Sequence, residues 1–206
     1  MSKITWKPAT LLAPVPPVMV SCGTVDQPNI ITVAWTGIVN SDPAMTYISV
    51  RPERYSHDII KRTGDFVINL TTAGLTRAAD FCGVRTGARI DKFKEMKLTP
   101  EKASIVRAPM IAESPMNIEC RVEQVISLGS HDMFLAKILA VHVDGQLIDK
   151  EGKLCLHRAG LTAYAHGEYY ELGRRIGKFG YSVRKKKPAK KYPQPRKGSP
   201  SRRENK

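Results

Sequence analysis

Four cysteines are all that 206 residues contain, and Cys22, Cys82, Cys120 and Cys155 stand too far apart for a C-x-x-C dithiol or a Cys/His ligand pair. A zinc centre and a redox disulfide both lose support, and the thiols read as small buried side chains in a reducing compartment. Long apolar runs are missing as well: no segment reaches the roughly 18 residues of a membrane helix. Pro14, Pro16 and Pro17 interrupt the apolar region that a signal peptide would need. These absences predict a cytoplasmic protein. No G-x-G-x-x-G joins a strand to a helix, and no G-x-x-x-x-G-K-[ST] occurs. A Rossmann domain and a P-loop are therefore disfavoured, and any nucleotide must be held another way. His57, His157 and His166 show no spacing that gathers them with carboxylates into a metal site, His142 reads as a strand residue with no special role, and no metal is expected.

Acidic residues are also scarce, 19 Asp and Glu against 33 Lys and Arg, which gives a net charge of +14. The excess is uneven, because Arg184 to Lys206 alone carries +10, with prolines and almost nothing apolar. Such a composition cannot bury a core. The sequence thus divides into one globular domain over residues 1–183 and a disordered basic tail over 184–206. The tail is a solubilising extension or a contact for a polyanion such as nucleic acid, with Tyr192 available to stack on a base. A nucleic-acid-binding protein acting through this tail is the alternative to an enzyme. With 42% apolar and 25% charged residues, the remainder is ordinary globular sequence.

The stretch from Asn29 to Leu70 is the most informative. Ile31, Val33 and Trp35 alternate with small or polar residues, and Met45 to Val50 does the same, which predicts two strands. Asp65 to Leu70 is a third. Between the last two, Ser56 is placed as an N-cap, Asp58 falls in the first turn and Gly64 follows the last, so a helix begins just after Arg51 and Arg54. Free N–H groups, a hydroxyl and a guanidinium fork at a helix N-terminus suit a phosphate, although arginines near strand ends are more often simply solvated. Ala34 to Gly37 reads as a loop in which Gly37 permits close approach to a ligand ring, and Asn40, Ser41 and Asp42 follow as polar loop groups; a plain β-turn is the other reading. Val18 to Cys22 forms a hairpin with the strand from Ile30, Leu75 to Cys82 has a helical apolar face, and Thr86 to Met96 is a charged, glycine-containing loop that could wall a ligand. Asn117 to Ser127 and Met133 to Asp144 are further strands, with Leu154 to His157 as another extended piece.

The runs AWTGIVNSDP, SVRPERYSHDIIKRTGDFVINL, DKF at Asp91 to Phe93, ESPMNIEC and SLGSHDMFLAKI, in this order, resemble the flavin reductase family of FMN-binding split barrels, its flavoredoxin-like branch in particular, over about residues 8 to 182. The resemblance implies a mainly β fold, a six-stranded antiparallel Greek-key barrel with a few short helices, assembled as a homodimer with FMN near the subunit interface. It implies electron transfer from NAD(P)H through the flavin to an acceptor. For the ring it points to Trp35, Thr36 and Gly37 with Asn40 and Ser41; for the phosphate, to Arg51, Ser56 and Lys92, the last of which would otherwise read as a solvated loop lysine. Asn69 and Thr71 would contact the ribityl hydroxyls or merely end a strand. His131, in the turn GSHD, matches a turn near flavin and nicotinamide in the family and is the one catalytic candidate. Ser130 stands where many relatives carry Asp, which leaves Asp132 as the substitute acidic neighbour. The glycine- and tyrosine-rich segment from Tyr164 to Ser182 would close over the flavin region.

Overall fold

Apolar residues build the strands that the sequence predicts, and further strands that it does not predict join them. The computed structural model describes residues 1–184. Val18–Gly23 (β1) and Pro28–Val33 (β2) form a hairpin, Thr36–Ser41 (β3) and Ala44–Val50 (β4) form a second, and Tyr55–Thr63 (α1) leads into Asp65–Leu70 (β5). Thr76–Val84 (α2) and the single turn Lys92–Glu95 (α3) follow, then the two-residue strands Pro100–Glu101 (β6) and Met110–Ile111 (β7). Met116–Ser127 (β8) and Asp132–Val143 (β9) are the longest strands, and Thr162–Ala165 (β10) with Glu168–Glu171 (β11) is a small hairpin. Met1–Leu172 is one compact unit; a second begins at Gly173, and its described part holds a single 3-10 turn, Tyr181–Val183. The expected basic tail lies outside the described residues from 185 onward.

Seven strands form the main sheet in the order β2-β1-β5-β8-β9-β4-β3, each pair antiparallel. The count corrects the expected six. The added strand is β3, whose Thr-Gly start and largely exposed side chains on both faces give no alternation to read; its register comes from β4 alone. β2 and β3 end the order and share no ladder among the described residues. The sheet nevertheless curls, because Ile31 and Val33 of β2 pack in the same core as Ile48 and Val50 of β4, together with Phe66, Cys120 and Phe134. Burying side chains of this size stabilises the fold by about 1.5 to 3 kcal/mol each.

Helix α1 lays Ile59 and Ile60 onto this core and ends at Gly64, whose left-handed φ of 73° lets its N–H close on the Ile60 carbonyl at 2.8 Å. Its N-cap is Arg54, with no side-chain cap, and not Ser56 as the sequence suggested. Ser56 lies within the first turn, and its hydroxyl accepts from Asn29 Nδ2 at 2.7 Å. Leu154 to His157 is likewise no strand; Leu156–Arg158 is a 3-10 turn, and extended pairing is limited to the bridge between Ile148 and Leu154. The N-terminal arm is extended and exposed, and bridges β10 through Val15 and Tyr164. No helix among the described residues is long and apolar enough to cross a membrane.

Candidate functional site

Two adjoining cavities open where the end of β2, the start of α1 and the end of α2 meet. They measure about 350 and 300 Å³ and share Ile31, Arg54 and Gly83 in their walls. Each is of the size that small-molecule sites occupy.

The larger cavity has an aromatic and apolar wall. Trp35 stands where the chain leaves β2, held by the Ser49 N–H, which donates to its carbonyl at 2.9 Å. Its ring lies 4.3 Å from that of His131, centroid to centroid, at 43°. Arg51, at the end of β4, and Tyr164 and Tyr169 of the β10–β11 hairpin complete the wall. Burial lowers the His131 pKa, the Arg51 charge lowers it further and Glu53 opposes, which favours the neutral ring. Its Nδ1 is 2.9 Å from the Ser130 hydroxyl. Asp132, expected as its acidic neighbour, turns away and bonds to His57.

The smaller cavity is the polar one. Arg54, Tyr55 and Ser56 at the α1 N-terminus form one side, Arg85, Thr86 and Gly87 the other, and Lys92 the floor. The loop can press this close only because residue 87 is glycine, since a Cβ there would meet Asn29 Oδ1 at 1.9 Å. Lys92 is not a solvated loop lysine: it is only 4% exposed. Its Nζ donates to the carbonyls of Ile30 at 2.7 Å and Cys82 at 2.8 Å. An ammonium has three donors, so one is left over. No ion pair reaches Lys92 among the described residues. Burial pulls its pKa below the usual lysine value, Cys82 and Cys22 oppose, and the Arg54 charge adds the smallest effect in the same direction as burial. A buried lysine beside a helix N-terminus, with an arginine at hand, is chemically suited to an anion.

Of the residues expected from the sequence, Trp35, Arg51 and His131 meet in the larger cavity, and Ser56 and Lys92 in the smaller. The others lie apart. Thr36 donates to the Tyr47 carbonyl at 2.6 Å within the β3–β4 hairpin, and Gly37 faces the Tyr47 ring. Asn40 and Ser41 are exposed at the hairpin's far end, where Asn40 Nδ2 donates to the Pro43 carbonyl at 2.9 Å. Asn69 is wholly buried with both ends of its amide bonded inside the protein, and Thr71 is buried beside Thr162. Arg54, which the sequence named beside Arg51 but did not assign, lines both cavities, and Arg51 pairs with Glu53 at 3.4 Å. Gly83 is brought in by tertiary packing and leaves no local mark, whereas Tyr164 and Tyr169 belong to the segment that the resemblance placed over this region. Cys22, Cys82 and Cys120 are free and buried, which pushes their thiols up to about 12, 11 and 12, away from nucleophilic use.

Residues 11–173 match the model of the flavin reductase like domain. The chain therefore belongs to the flavin reductase family. Among solved structures it resembles flavoredoxin of Desulfovibrio vulgaris, with 30% identity and a TM-score of 0.82 over 89% of this chain and 100% of that one. The flavoredoxin of Methanosarcina acetivorans shares the fold at 23% identity, with a TM-score of 0.79 over the same shares. An uncharacterised protein of Archaeoglobus fulgidus is 32% identical over 129 residues, covering 63% of this chain and 72% of that protein.

Proposed function

We propose that the two cavities together bind FMN, and that the protein is an NAD(P)H-dependent oxidoreductase of the flavoredoxin type. One observation carries this reading: Lys92, buried and with no ion-pair partner among the described residues, lines the polar cavity that joins the aromatic one. A flavin mononucleotide presents a phosphate at one end and a flat ring at the other, which is the polarity of the joined space. Lys92, Arg54 and the α1 N–H groups would hold the phosphate, and Ser56 would orient them through Asn29. Trp35 and the hairpin tyrosines would shield the ring from water, while neutral His131 and Arg51 would border it. Bound flavin supplies two-electron transfer between a nicotinamide and an acceptor, so the side chains need only bind, orient and exclude solvent.

The reading extends to a homodimer, for which the exposed Ile38 and Val39 on edge strand β3 are available, and to residues 1–183 as the flavin-binding domain. The test is the visible spectrum of the purified protein. A yellow protein that releases FMN on denaturation, and whose colour bleaches on anaerobic mixing with NADH or NADPH, is expected. A colourless protein that takes up no added FMN would overturn the assignment; a coloured one that neither nicotinamide bleaches would retain the cofactor and lose the activity.

A further inference from the structure

We infer that His57 and Asp132 are a positioning pair that fixes His131 against Trp35 and ties that wall to the helix whose N-terminus faces the polar cavity. His57 is in the first turn of α1, with its side chain 4% exposed. Nε2 lies 2.9 Å from Asp132 Oδ2, and the ring edge packs on Phe134 at a centroid distance of 5.3 Å. Asp132 is the first residue of β9 and sits opposite Val50 of β4 and Ser127 of β8. The residue before Asp132 is His131 and the residue after Val50 is Arg51, both in the wall of the larger cavity. The residues just before His57 are Arg54, Tyr55 and Ser56, all in the wall of the smaller one. One bond therefore joins the two ends of the site from behind.

The contacts of His57 are unequal. Nδ1 is 3.0 Å from Asp58, whose side chain is 84% exposed, and a bond so open to water contributes little. Asp132 is 10% exposed at its side chain, and the His57 bond, with Ser127 assisting, holds its carboxyl below the usual aspartate range. Filling space over Phe134 would need only an apolar side chain. Removing an imidazole and a carboxylate from water costs stability that their mutual bond offsets only with good geometry and further hydrogen bonds.

The inference rests on the FMN reading for what the pair serves, but not for the contact itself. The experiment uses the full chain in a Trp6→Phe background, so that emission reports Trp35 alone. His57→Leu keeps the volume and loses the donor, whereas His57→Gln returns a donor near the place of Nε2. The Leu variant should show raised Trp35 emission without ligand, a shifted visible band of bound FMN and FMN affinity lowered about 3- to 30-fold. The Gln variant should recover most of each. Asp132→Asn, close in shape, should follow the Leu variant and serves in its place if that protein does not fold. Emission and flavin affinity equal to wild type in the Leu and Asn variants, with only thermal stability changed, would overturn the pair's role. A parent protein that takes up no FMN would defeat the cofactor reading alone, because the emission comparison still decides the inference.

Discussion

Two buried polar regions of this protein differ in how their hydrogen bonds close. Around Asn69, Nδ2 donates to the Met19 carbonyl and the Ser21 hydroxyl, both at 2.9 Å, while Oδ1 accepts from the Ile111 N–H at 3.0 Å and from Asn117 Nδ2 at 2.8 Å. Donors and acceptors are matched, and nothing is left to offer a ligand. Around Lys92 the ammonium meets two carbonyls and no carboxylate, in a cavity that also receives a helix N-terminus. A closed network fixes one strand against another; an open charge waits for a partner.

That contrast sets the scale of what substitutions should do. The largest effect is expected at the closed network: Asn69→Leu strands several buried groups at once and should destabilise the fold by about 4 kcal/mol, measured by urea unfolding. Glu119 is a second closed site. Its carboxylate accepts from the N–H groups of Ser104 at 2.8 Å, Ile105 at 2.7 Å and Val106 at 2.8 Å, and lies 2.6 Å from His142 Nε2. Burial pushes its pKa up, but the Val106 bond, His142 and the other two N–H groups outweigh that and bring it below the ordinary glutamate value. A lowered folded pKa means that the stabilisation is full above the ordinary glutamate pKa and is lost as the pH falls through the folded value. Glu119→Gln should cost about 2 kcal/mol at pH 7 and flatten this acid limb of a stability-against-pH curve. The smallest effects separate the two arginines: Arg54→Ala should weaken FMN about 5- to 10-fold, whereas Arg51→Ala, already paired with exposed Glu53, should change it by less than about threefold. The reverse order would return the phosphate to Arg51.

The same contrast explains what the sequence made legible. Strand β4 was readable because buried residues alternate along it, β5 because it is buried on both faces, β8 and β9 because their first halves are buried, and α1 because Gly64 ends it. β3 was missed because its neighbour, and not its own pattern, holds it in the sheet. At the candidate site, Trp35, Arg51, Ser56, Lys92 and His131 were named by their place in family-like runs; without the resemblance Lys92 would have read as solvated, since burial of a lone lysine is decided by the β2 and α2 carbonyls it meets. Asn69 and Thr71 sit at the end of a strand in either account. Only the cross-strand partners of Asn69 show that its amide is already occupied. His57 and His142 gave no signal, because the carboxylates they meet, Asp132 and Glu119, are 75 and 23 positions away.

The most direct measurement is a pair of titrations, FMN and riboflavin, on wild type and Lys92→Met. If the buried ammonium receives the phosphate, the variant loses a charge-assisted bond of about 1.5 to 3 kcal/mol, so FMN affinity falls roughly 10- to 150-fold while riboflavin, which has the ring but no phosphate, binds nearly as before. An equal loss for both ligands, or unchanged FMN affinity in a folded variant, would contradict the account and place the anion elsewhere.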